Sequence, residues 1–576
     1  MNTSAAAQRA ATDTGAAATG KTPMDALFER VQRQGDSIAM VQPVGGGKLR
    51  EYTWKEMADE ALRIAAYLRS LGLSERAHVA LMSKNCAEWI MADLAIWLAG
   101  YVSIPLYPTL TSGSVRQILE HSESELLFVG KLDVWDEAKH GVPAEMKKVS
   151  FSLSPDDARS EFPCWSDIVR DTGPLDLSET FKPGPDDLAT IIYTSGTTGM
   201  PKGVMHPFRN LVLMGDKMPH IYNLTPEDRM ISYLPLSHVA ERAAVEMSML
   251  FVGQKIFFAE SLDTFADDIK RAKPTLFFAV PRIWNKFYQK ASDKVPPEKL
   301  EKLLKIPLLN RFLKKKVLSA MGLEECRIAL SGASALSPDV ILWFKKLGLE
   351  ILEVYGMTEN LAWSHITHEG DQVIGSVGVT QEGVECRIAE DGEILVRSPA
   401  NMTGYYKMDD KTAETIDSDG WLHTGDRGHV DDQGRLYITG RVKEIFKTEK
   451  GKYVAPAPIE NLLVSYPGVE QACVTGVDLP QPLALLCLSE EEIEHVDQDE
   501  KARKEFIEGL GKHLEHVNGQ LDAHERLCAL VIVPEVWGVE NDLLTPTMKL
   551  KRDNIEQLYK DRIPKWAEQG GVIWAR

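Results

Sequence analysis

Short apolar segments alternate with amphipathic segments along the first 440 residues, and this alternation restricts the chain to few fold classes. Between the apolar runs lie stretches such as Lys55–Gly72, whose apolar residues recur every three or four positions, as on one face of a helix. Strand-length runs separated by helices are typical of α/β folds in which most strands are parallel. The runs expected to be buried strands are LLFV (Leu126–Val129), TIIYTS (Thr190–Ser195), RMISYLP (Arg229–Pro235), KIFFA (Lys255–Ala259) and TLFFAV (Thr275–Val280).

One segment, Glu88–Tyr107, is apolar enough to raise the question of a membrane span. It carries Glu88 and Asp93, and charged side chains within a span are costly in lipid. It also contains Gly100 and, near its end, Pro105. We therefore expect a buried helix that runs into a short strand, and the sequence predicts no transmembrane helix.

A second, smaller unit is expected after residue 440. The segment Asp419–Gly440 is rich in Gly and Asp, which indicates turns and short antiparallel strands. Beyond it, Ala472–Val477 and Cys528–Val533 have strand patterns, and Lys501–Val517 has a helical one. The predicted organisation is a loose tail at 1–22, a large α/β domain at 23–440 and a small α+β domain at 441–576.

The overall charge and the cysteines exclude several classes of protein. Lys plus Arg is 65 and Asp plus Glu is 84, so the formal net charge is −19. A general nucleic-acid binder would instead need a basic surface. The seven cysteines are far apart and form no C-x-x-C pair, which argues against a disulfide framework or a structural zinc site. Unpaired thiols are typical of a reducing compartment, so we expect a cytoplasmic protein.

The segment TIIYTSGTTGMPKG (Thr190–Gly203) is the most informative motif. Its glycines would let backbone N–H groups approach phosphate oxygens, its hydroxyls would add donors, and its lysine would add positive charge. The spacing excludes a Walker A loop, because no glycine of the loop is followed by a second glycine five residues later. The candidate phosphate ligands are Thr194, Ser195, Gly196, Thr197, Thr198, Gly199 and Lys202.

With this loop and further motifs in the same order, the chain resembles the adenylate-forming superfamily, which includes acyl-CoA synthetases, carrier-protein adenylation domains and luciferases. The resemblance covers residues 25–560, and its wording is closest to the long-chain fatty acyl-CoA synthetases, including the bubblegum-like members. It implies a large N-terminal α/β domain of several subdomains and a small, mobile C-terminal α+β domain. The further motifs are LPLSHVAER (Leu234–Arg242), VPRIWNKFY (Val280–Tyr288), SGASALSP (Ser331–Pro338), VYGMTEN (Val354–Asn360), GWLHTGD (Gly420–Asp426), GRVKEIFKTEKGKYVAPAPIEN (Gly440–Asn461) and LTPTMKLKR (Leu544–Arg552).

The resemblance implies a reaction in two halves. A fatty acid, long-chain in the nearest branch, would attack ATP to give acyl-AMP and pyrophosphate, and coenzyme A would then displace AMP. The first half joins two anions, so it needs positive charge and hydrogen-bond donors around the phosphates. Glu359 and Thr194 would hold Mg²⁺ through oxygen atoms, and Thr358 would contact the α-phosphate.

The same resemblance assigns residues to the nucleoside. Tyr355, which is followed by Gly356, would stack on adenine, and Asp426 would accept hydrogen bonds from the ribose hydroxyls. Arg441 would assist at ribose and phosphate. The residues expected to approach adenine mostly through their backbone are Gly332, Ala333 and Ser334.

Two lysines compete for the catalytic position in the C-terminal motif. The family's pattern of lysine, apolar residue, any residue and arginine favours Lys549 over Lys551. The resemblance implies that Lys549 would lie between the carboxylate and the α-phosphate. Lys551 lies two residues further, so in an extended loop it would point the other way. Lys443 falls at the hinge about which the small domain of the family is thought to rotate.

His238 matches a family histidine near the acyl site, where it would shape the carboxylate pocket, and a purely structural role is the alternative. The chain also departs from the family pattern. Phe208 stands where a histidine is frequent, and His206, two residues earlier, receives no role. The segment Gly375–Gly383 lacks a common proline. Arg242 replaces a tryptophan that gates the acyl tunnel in some members, so chain-length rules do not transfer.

Residues 298–316 (EKLEKLLKIPLLNRFLKKK) form a basic amphipathic segment. Seven cations face two acids, which gives a local charge of 7 − 2 = +5. Such a segment can lie on an anionic membrane surface, and the alternative is a helix that packs its leucines on the core and leaves its lysines in solvent. Peripheral membrane contact is therefore one expectation for this segment.

Three functions are compatible with these motifs. The first is a long-chain fatty acid–CoA ligase. The second keeps the adenylation chemistry with another partner: an acyl-AMP ligase that loads a carrier protein, or a ligase for aryl or other acids. The third is a nucleotide-binding scaffold without catalysis, which the presence of Glu359, Asp426, Arg441 and Lys549 disfavours. The expected partners are small molecules rather than nucleic acid.

Overall fold

The computed structural model describes residues 20–194 and 201–576 of the chain. The predicted tail up to residue 19 and the loop 195–200 lie outside these residues. Within the described ranges the strands form six sheets. No helix in those ranges has the length and apolar character that crossing a membrane requires.

Across the three sheets built mainly from the first 380 residues, most strand pairings are parallel, as the alternating pattern predicts, and the antiparallel pairings lie at the sheet edges. Buried strands occur at all five predicted positions. In spatial order, the seven-stranded sheet contains Gly404–Tyr405, Lys202–Pro207, Leu188–Thr194, Val102–Leu106, His78–Met82, Leu126–Val129 and Lys147–Ser150. The five-stranded sheet contains Leu276–Ala279, Ile328–Ser331, Ile351–Tyr355, His365–Ile366 and Val379–Thr380. A four-stranded sheet contains Leu49–Thr53, Ile38–Pro43, Lys255–Phe258 and Arg229–Ser232.

The remaining sheets belong to the C-terminal third of the chain. An antiparallel sheet of Glu385–Ile388, Glu393–Arg397, Leu422–Val430 and Leu436–Arg441 includes the segment predicted to form turns and short antiparallel strands. A hairpin of Phe446–Lys447 and Tyr453–Val454 follows it. The last sheet is mixed and contains Val469–Thr475, Leu483–Leu488, Ala529–Ile532 and Gly571–Trp574.

Helices separate many of the strands along the chain. Those of seven or more residues are Pro23–Gln34, Trp54–Ser70, Ala87–Ala99, Ser112–Ser122, Trp165–Asp171, Phe208–Ile221, Phe265–Ala272, Pro281–Lys294, Pro297–Leu304, Pro307–Ala320, Pro338–Leu347, Asp409–Thr415, Pro456–Leu463, Glu490–Gln498, Glu500–Asn518, Arg552–Tyr559 and Ile563–Gln569. Shorter helices are Trp135–Ala138, Lys139–Gly141, Asp156–Glu161, Val239–Glu241, Ser248–Val252 and Thr358–Asn360, and Arg242–Met247 is a π-helix.

The helix Ala87–Ala99 confirms the interpretation of the apolar segment that resembles a membrane span. All of its residues are buried. Gly100 ends it with a φ of 95°, a left-handed conformation that favours glycine, and the strand Val102–Leu106 follows at once. The segment is apolar on every side because it is surrounded by protein.

The basic segment 298–316 differs from a single amphipathic helix. It forms two helices, Pro297–Leu304 and Pro307–Ala320, with a break at Lys305 and Ile306. A proline lacks the backbone N–H that a continuing helix needs, but it suits the first turn of a new one. Pro307 therefore starts the second helix.

Candidate active site

A large cleft of about 3320 Å³ brings together the residues that the separate motifs predict. It is lined by every predicted site residue that the structure describes. These are Thr194, Lys202, His238, Gly332, Ala333, Ser334, Tyr355, Gly356, Thr358, Glu359, Asp426, Arg441, Lys443 and Lys549. The other predicted phosphate ligands, Ser195, Gly196, Thr197, Thr198 and Gly199, lie outside the described residues and stay predictions.

The phosphate side of the cleft lies at the end of a two-stranded antiparallel pairing. Thr194 and Lys202 are opposite each other in register, so the two strands hold the ends of the predicted loop together. The ammonium of Lys202 lies 4.6 Å from the centre of the Tyr405 ring, whose face attracts a cation. The Tyr405 hydroxyl donates to Glu359 Oε1 at 2.8 Å. A cation, an aromatic ring and a carboxylate thus form one contiguous group.

Glu359 has the chemistry of a Mg²⁺ ligand that acts together with substrate phosphates. Its side chain is 9% exposed, and one oxygen is oriented by Tyr405. Mg²⁺ is commonly held by one or two carboxylates plus phosphates and water. In the described part of the chain no group of three or more His, Cys, Asp or Glu residues could hold a metal without such help. The residues present therefore fit an ion that arrives with ATP.

His206 is a residue of the site that the sequence motifs do not reveal. It is fully buried, its Nε2 donates to the Thr358 carbonyl at 2.7 Å, and its Nδ1 accepts from Asn210 Nδ2 at 3.0 Å. Burial lowers the pKa of His206 to about 4, so the ring is neutral at pH 7. The neutral ring fixes the backbone between the predicted α-phosphate ligand and Glu359.

The predicted adenine wall is shaped by close backbone packing. A Cβ on Gly332 would lie 2.9 Å from a methyl of Val354, and one on Gly356 would lie 2.6 Å from the Cα of Ala362. Ala333 has a φ of 70°, in the left-handed region that few non-glycine residues adopt. The absence of side chains at the two glycines keeps this part of the wall thin and leaves backbone groups facing the cleft.

Asp426 lies at the predicted ribose position and already has two donors. The Tyr355 hydroxyl donates to its Oδ2 at 2.7 Å, and Arg441 Nε lies 3.1 Å from its Oδ1. Asp426 and Arg441 face each other across neighbouring strands, so the sheet register creates the pair. Burial raises the pKa of Tyr355 well above its usual range, which keeps the phenol protonated as a donor.

Lys549 reaches the cleft from a turn in the C-terminal motif. Its backbone N–H donates to Thr545 Oγ1 at 3.0 Å. The walls of the cleft surround the side chain, although water still reaches it through the opening. This enclosure, and then the charge of Arg441, lowers the pKa of the ammonium, while Asp426 and Glu359 oppose the shift. Lys549 is therefore close enough to the nucleotide side to respond to its charges.

Lys551 behaves differently from Lys549. Its ammonium pairs with the carboxylate of Asp542 on the same side of the turn. An ion pair of this kind is a structural contact at the surface, where such pairs contribute little stability. Lys551 lines the same cleft but is already paired, and the choice of Lys549 as the catalytic lysine stays a prediction.

His238, which is predicted to shape the carboxylate pocket, lines the cleft. Its Nδ1 accepts from the backbone N–H of Ala240 at 3.1 Å, so the proton of the neutral ring is on Nε2. Burial, and then the charge of Lys549, lowers the pKa of His238 to about 4. His238 and Lys549 line the same cleft, and the lysine is near enough for its charge to act on the histidine.

Lys443, the predicted hinge, is exposed and lies two residues after the end of the strand Leu436–Arg441. The next strand, Phe446–Lys447, belongs to a different sheet. The chain therefore passes from one sheet to another within a few residues at Lys443.

The fold and the cleft define the class of protein, an adenylate-forming enzyme. The sequence pattern of the family described as AMP-binding enzyme matches residues 27–406, and that of the AMP-binding enzyme C-terminal domain matches residues 444–569. The chain belongs to the AMP-binding enzyme family.

Curated relatives cover nearly the whole chain. Long-chain-fatty-acid–CoA ligase 1 of Homo sapiens is 30% identical, with 93% of this chain and 86% of that protein covered. Long-chain-fatty-acid–CoA ligase FadD15 of Mycobacterium tuberculosis is 30% identical, with 93% and 95% covered.

Solved structures share the fold. One is the A domain of a carboxylic acid reductase from Segniliparus rugosus in complex with AMP and a co-purified carboxylic acid, with a TM-score of 0.79, 21% identity and coverage of 98% and 96%. The anthranilate CoA ligase AuaEII in complex with anthranoyl-AMP has a TM-score of 0.75, 22% identity and coverage of 94% and 97%. At these identities the likeness concerns the fold.

Proposed function

We propose that this chain is a long-chain fatty acid–CoA ligase that forms acyl-AMP and pyrophosphate from ATP and a fatty acid, and then acyl-CoA and AMP. The observation that supports the proposal is that Lys549, from the C-terminal motif, lines the same cleft as Glu359 and Asp426, from the nucleotide motifs. The names of the curated relatives support a fatty acid as the substrate.

In the first half-reaction the chain brings two anions together. Lys202, with the loop that precedes it, binds the β- and γ-phosphates of ATP, and Thr358 contacts the α-phosphate. Glu359 and Thr194 would hold Mg²⁺ through oxygen atoms, and the ion would supply positive charge beside the phosphates. Lys549 stabilises the charge that develops as the carboxylate oxygen bonds to the α-phosphorus and pyrophosphate leaves. His238, neutral at pH 7, shapes the carboxylate pocket without a charge of its own.

In the second half-reaction a thiolate attacks the acyl carbon and AMP leaves. The division into 23–440 and 441–576 assigns the ATP and acyl sites to the large domain and Lys549 to the small one. A rotation about Lys443 would withdraw Lys549 and bring the hairpin near Tyr453–Val454 to the thiol path. Lys549 lines the cleft in this structure, which supports an orientation suited to adenylation.

The test is pyrophosphate release from ATP and Mg²⁺ with a series of acids, measured with and without coenzyme A. We expect release that depends on a long-chain acid, and thioester only when coenzyme A is present. Release with aryl or short acids alone would contradict the assigned substrate class. Acyl-AMP that never passes to coenzyme A would contradict the assigned acceptor and favour a carrier protein. No acid-dependent release would contradict the proposal as a whole.

A further inference from the structure

The two helices Pro297–Leu304 and Pro307–Ala320 form what we term the basic hairpin, and we propose that it binds the surface of an anionic lipid bilayer. The function of the cleft does not account for the charge of this hairpin. The proposal holds for any acid substrate and does not depend on the chemistry assigned above.

The charge of the hairpin is opposite to that of the whole chain. Residues 298–316 carry +5, whereas the net charge of the protein is −19. One of the two acids of the segment, Glu301, forms its ion pair with Lys346 outside the hairpin, and among the segment's own cations only the charge of Lys305 is recorded as acting on it in the described residues. Among the side chains that the structure describes, no ion pair joins the hairpin's cations to an acid. These cations are Lys299, Lys302, Lys305, Arg311, Lys314, Lys315 and Lys316.

Two large apolar side chains are exposed among these cations. Phe312 is 66% exposed and follows Arg311, and Ile306 is 43% exposed at the break between the helices. Lys315 lies three residues after Phe312, so it shares that side of the helix. An exposed aromatic ring surrounded by lysines is suited to the interface of a bilayer, where the ring enters the acyl boundary and the cations contact lipid phosphates.

The other side of the hairpin belongs to the protein. Leu300 is 3% exposed and lines the same cleft as Lys549. Leu313, Lys316 and Val317 line it too, so Lys316 belongs to the inner face and the other cations form the outer one. The hairpin is therefore one wall of the active-site cleft on its inner face and a basic, aromatic surface on its outer face. A bilayer bound to the outer face would lie next to an apolar part of the cleft.

A lipid surface fits this patch better than a nucleic acid does. The exposed Phe312 and Ile306 need an apolar phase to cover them, which a phosphate backbone does not supply. The large negative charge elsewhere on the chain also opposes a long polyanion that extends past the hairpin. A bilayer contacts only the patch that faces it.

The experiment is co-sedimentation of the full chain with vesicles of phosphatidylcholine, alone or mixed with phosphatidylglycerol. We expect binding to the mixed vesicles, weak binding to phosphatidylcholine, and a decrease with added salt. Each cation near an anionic surface strengthens binding about five-fold, so Lys314→Glu with Lys315→Glu should weaken it at least about 25-fold. Phe312→Ser should weaken the binding that persists at high salt.

The control is Lys501→Glu with Lys504→Glu on the helix Glu500–Asn518, which changes two exposed lysines far along the chain and should leave vesicle binding nearly unchanged. Circular dichroism and acid-dependent pyrophosphate release with a dispersed acid establish that each variant is folded. The proposal is overturned if wild type binds both vesicle types equally or neither, if the hairpin variant binds as well as wild type, or if a DNA duplex is bound instead. Loss of pyrophosphate release with intact vesicle binding would contradict only the proposed function.

Discussion

Replacing Arg242 with methionine should cost more stability than almost any other exchange of a single arginine in this chain. Its guanidinium contacts the carboxylates of Asp93 and Glu246, with Nε 3.2 Å from Glu246 Oε2, and Nη1 donates to Thr190 Oγ1 at 2.7 Å. All three charged residues are buried, with exposed fractions of 1%, 0% and 0%. Removing the cation leaves two carboxyl groups in the core without a counter-charge.

The expected loss is about 3–5 kcal/mol, the usual cost of breaking a buried ion pair by removing one partner. A matched control is Arg170→Met. Arg170 also contacts two carboxylates, Asp167 and Asp171, each at 2.7 Å, but its side chain is 65% exposed. Water screens that group, so its removal should leave the unfolding midpoint nearly unchanged.

The assay is urea unfolding, monitored by tryptophan fluorescence. Trp97 reports on this site because its ring centre lies 5.2 Å from the Arg242 guanidinium. Burial, and then the charge of Asp93, raises the pKa of Glu246 well above its usual range. Arg242 opposes this shift, so its removal should raise the pKa of Glu246 further. A carboxyl group with a raised pKa destabilises the fold as pH increases, so the loss in Arg242→Met should be larger at pH 8 than at pH 5. Equal, small losses for Arg242→Met and Arg170→Met would refute this reasoning.

Two further predictions concern the cleft and one concerns a buried carboxyl group in the core. Tyr405→Phe removes the hydroxyl that orients Glu359. It should raise the Mg²⁺ concentration for half-maximal pyrophosphate release about 10-fold. An unchanged Mg²⁺ dependence would count against Glu359 as the Mg²⁺ ligand. Arg441→Gln removes a positive neighbour that lowers the pKa of Lys549. The alkaline limb of the pH profile of the adenylation rate should therefore move to higher pH. An alkaline limb at the same pH would contradict the effect of Arg441 on Lys549. The pKa of buried Glu241 is raised to about 8, so wild type loses up to ~1.4 kcal/mol of stability per pH unit between about pH 4.5 and 8. Glu241→Gln lacks this loss, and urea titrations should show its free energy of unfolding relative to wild type rising with pH, whereas parallel curves would exclude it.

Local patterns predicted much of the fold because they reflect burial of consecutive residues. The strand Leu126–Val129 has the bounds that its apolar run indicates. The helix Ala87–Ala99 has apolar residues on every side, but it also contains Glu88 and Asp93. Those two acids distinguished a core helix from a membrane span. The break at Pro307 shows the limit of such patterns, because periodicity alone does not show where one amphipathic segment divides.

The motifs predicted the residues of the cleft but not how those residues support one another. Tyr405 contacts Glu359 across 46 residues of chain, and His206 contacts the Thr358 carbonyl across 152. No spacing in the sequence signals contacts that arise when distant strands and loops pack together. The aromatic residue and the buried histidine therefore became visible only in the structure.

The most direct test of the central claim separates the two half-reactions in Lys549→Ala, with Lys551→Ala as the matched control. We expect Lys549→Ala to lose acid-dependent pyrophosphate release at least about 100-fold, because one positioned charge at a developing anion is worth several kcal/mol. The same variant should still convert supplied acyl-AMP and coenzyme A to thioester, and Lys551→Ala should adenylate like wild type. Normal adenylation by Lys549→Ala, or an equal loss in Lys551→Ala, would contradict the account.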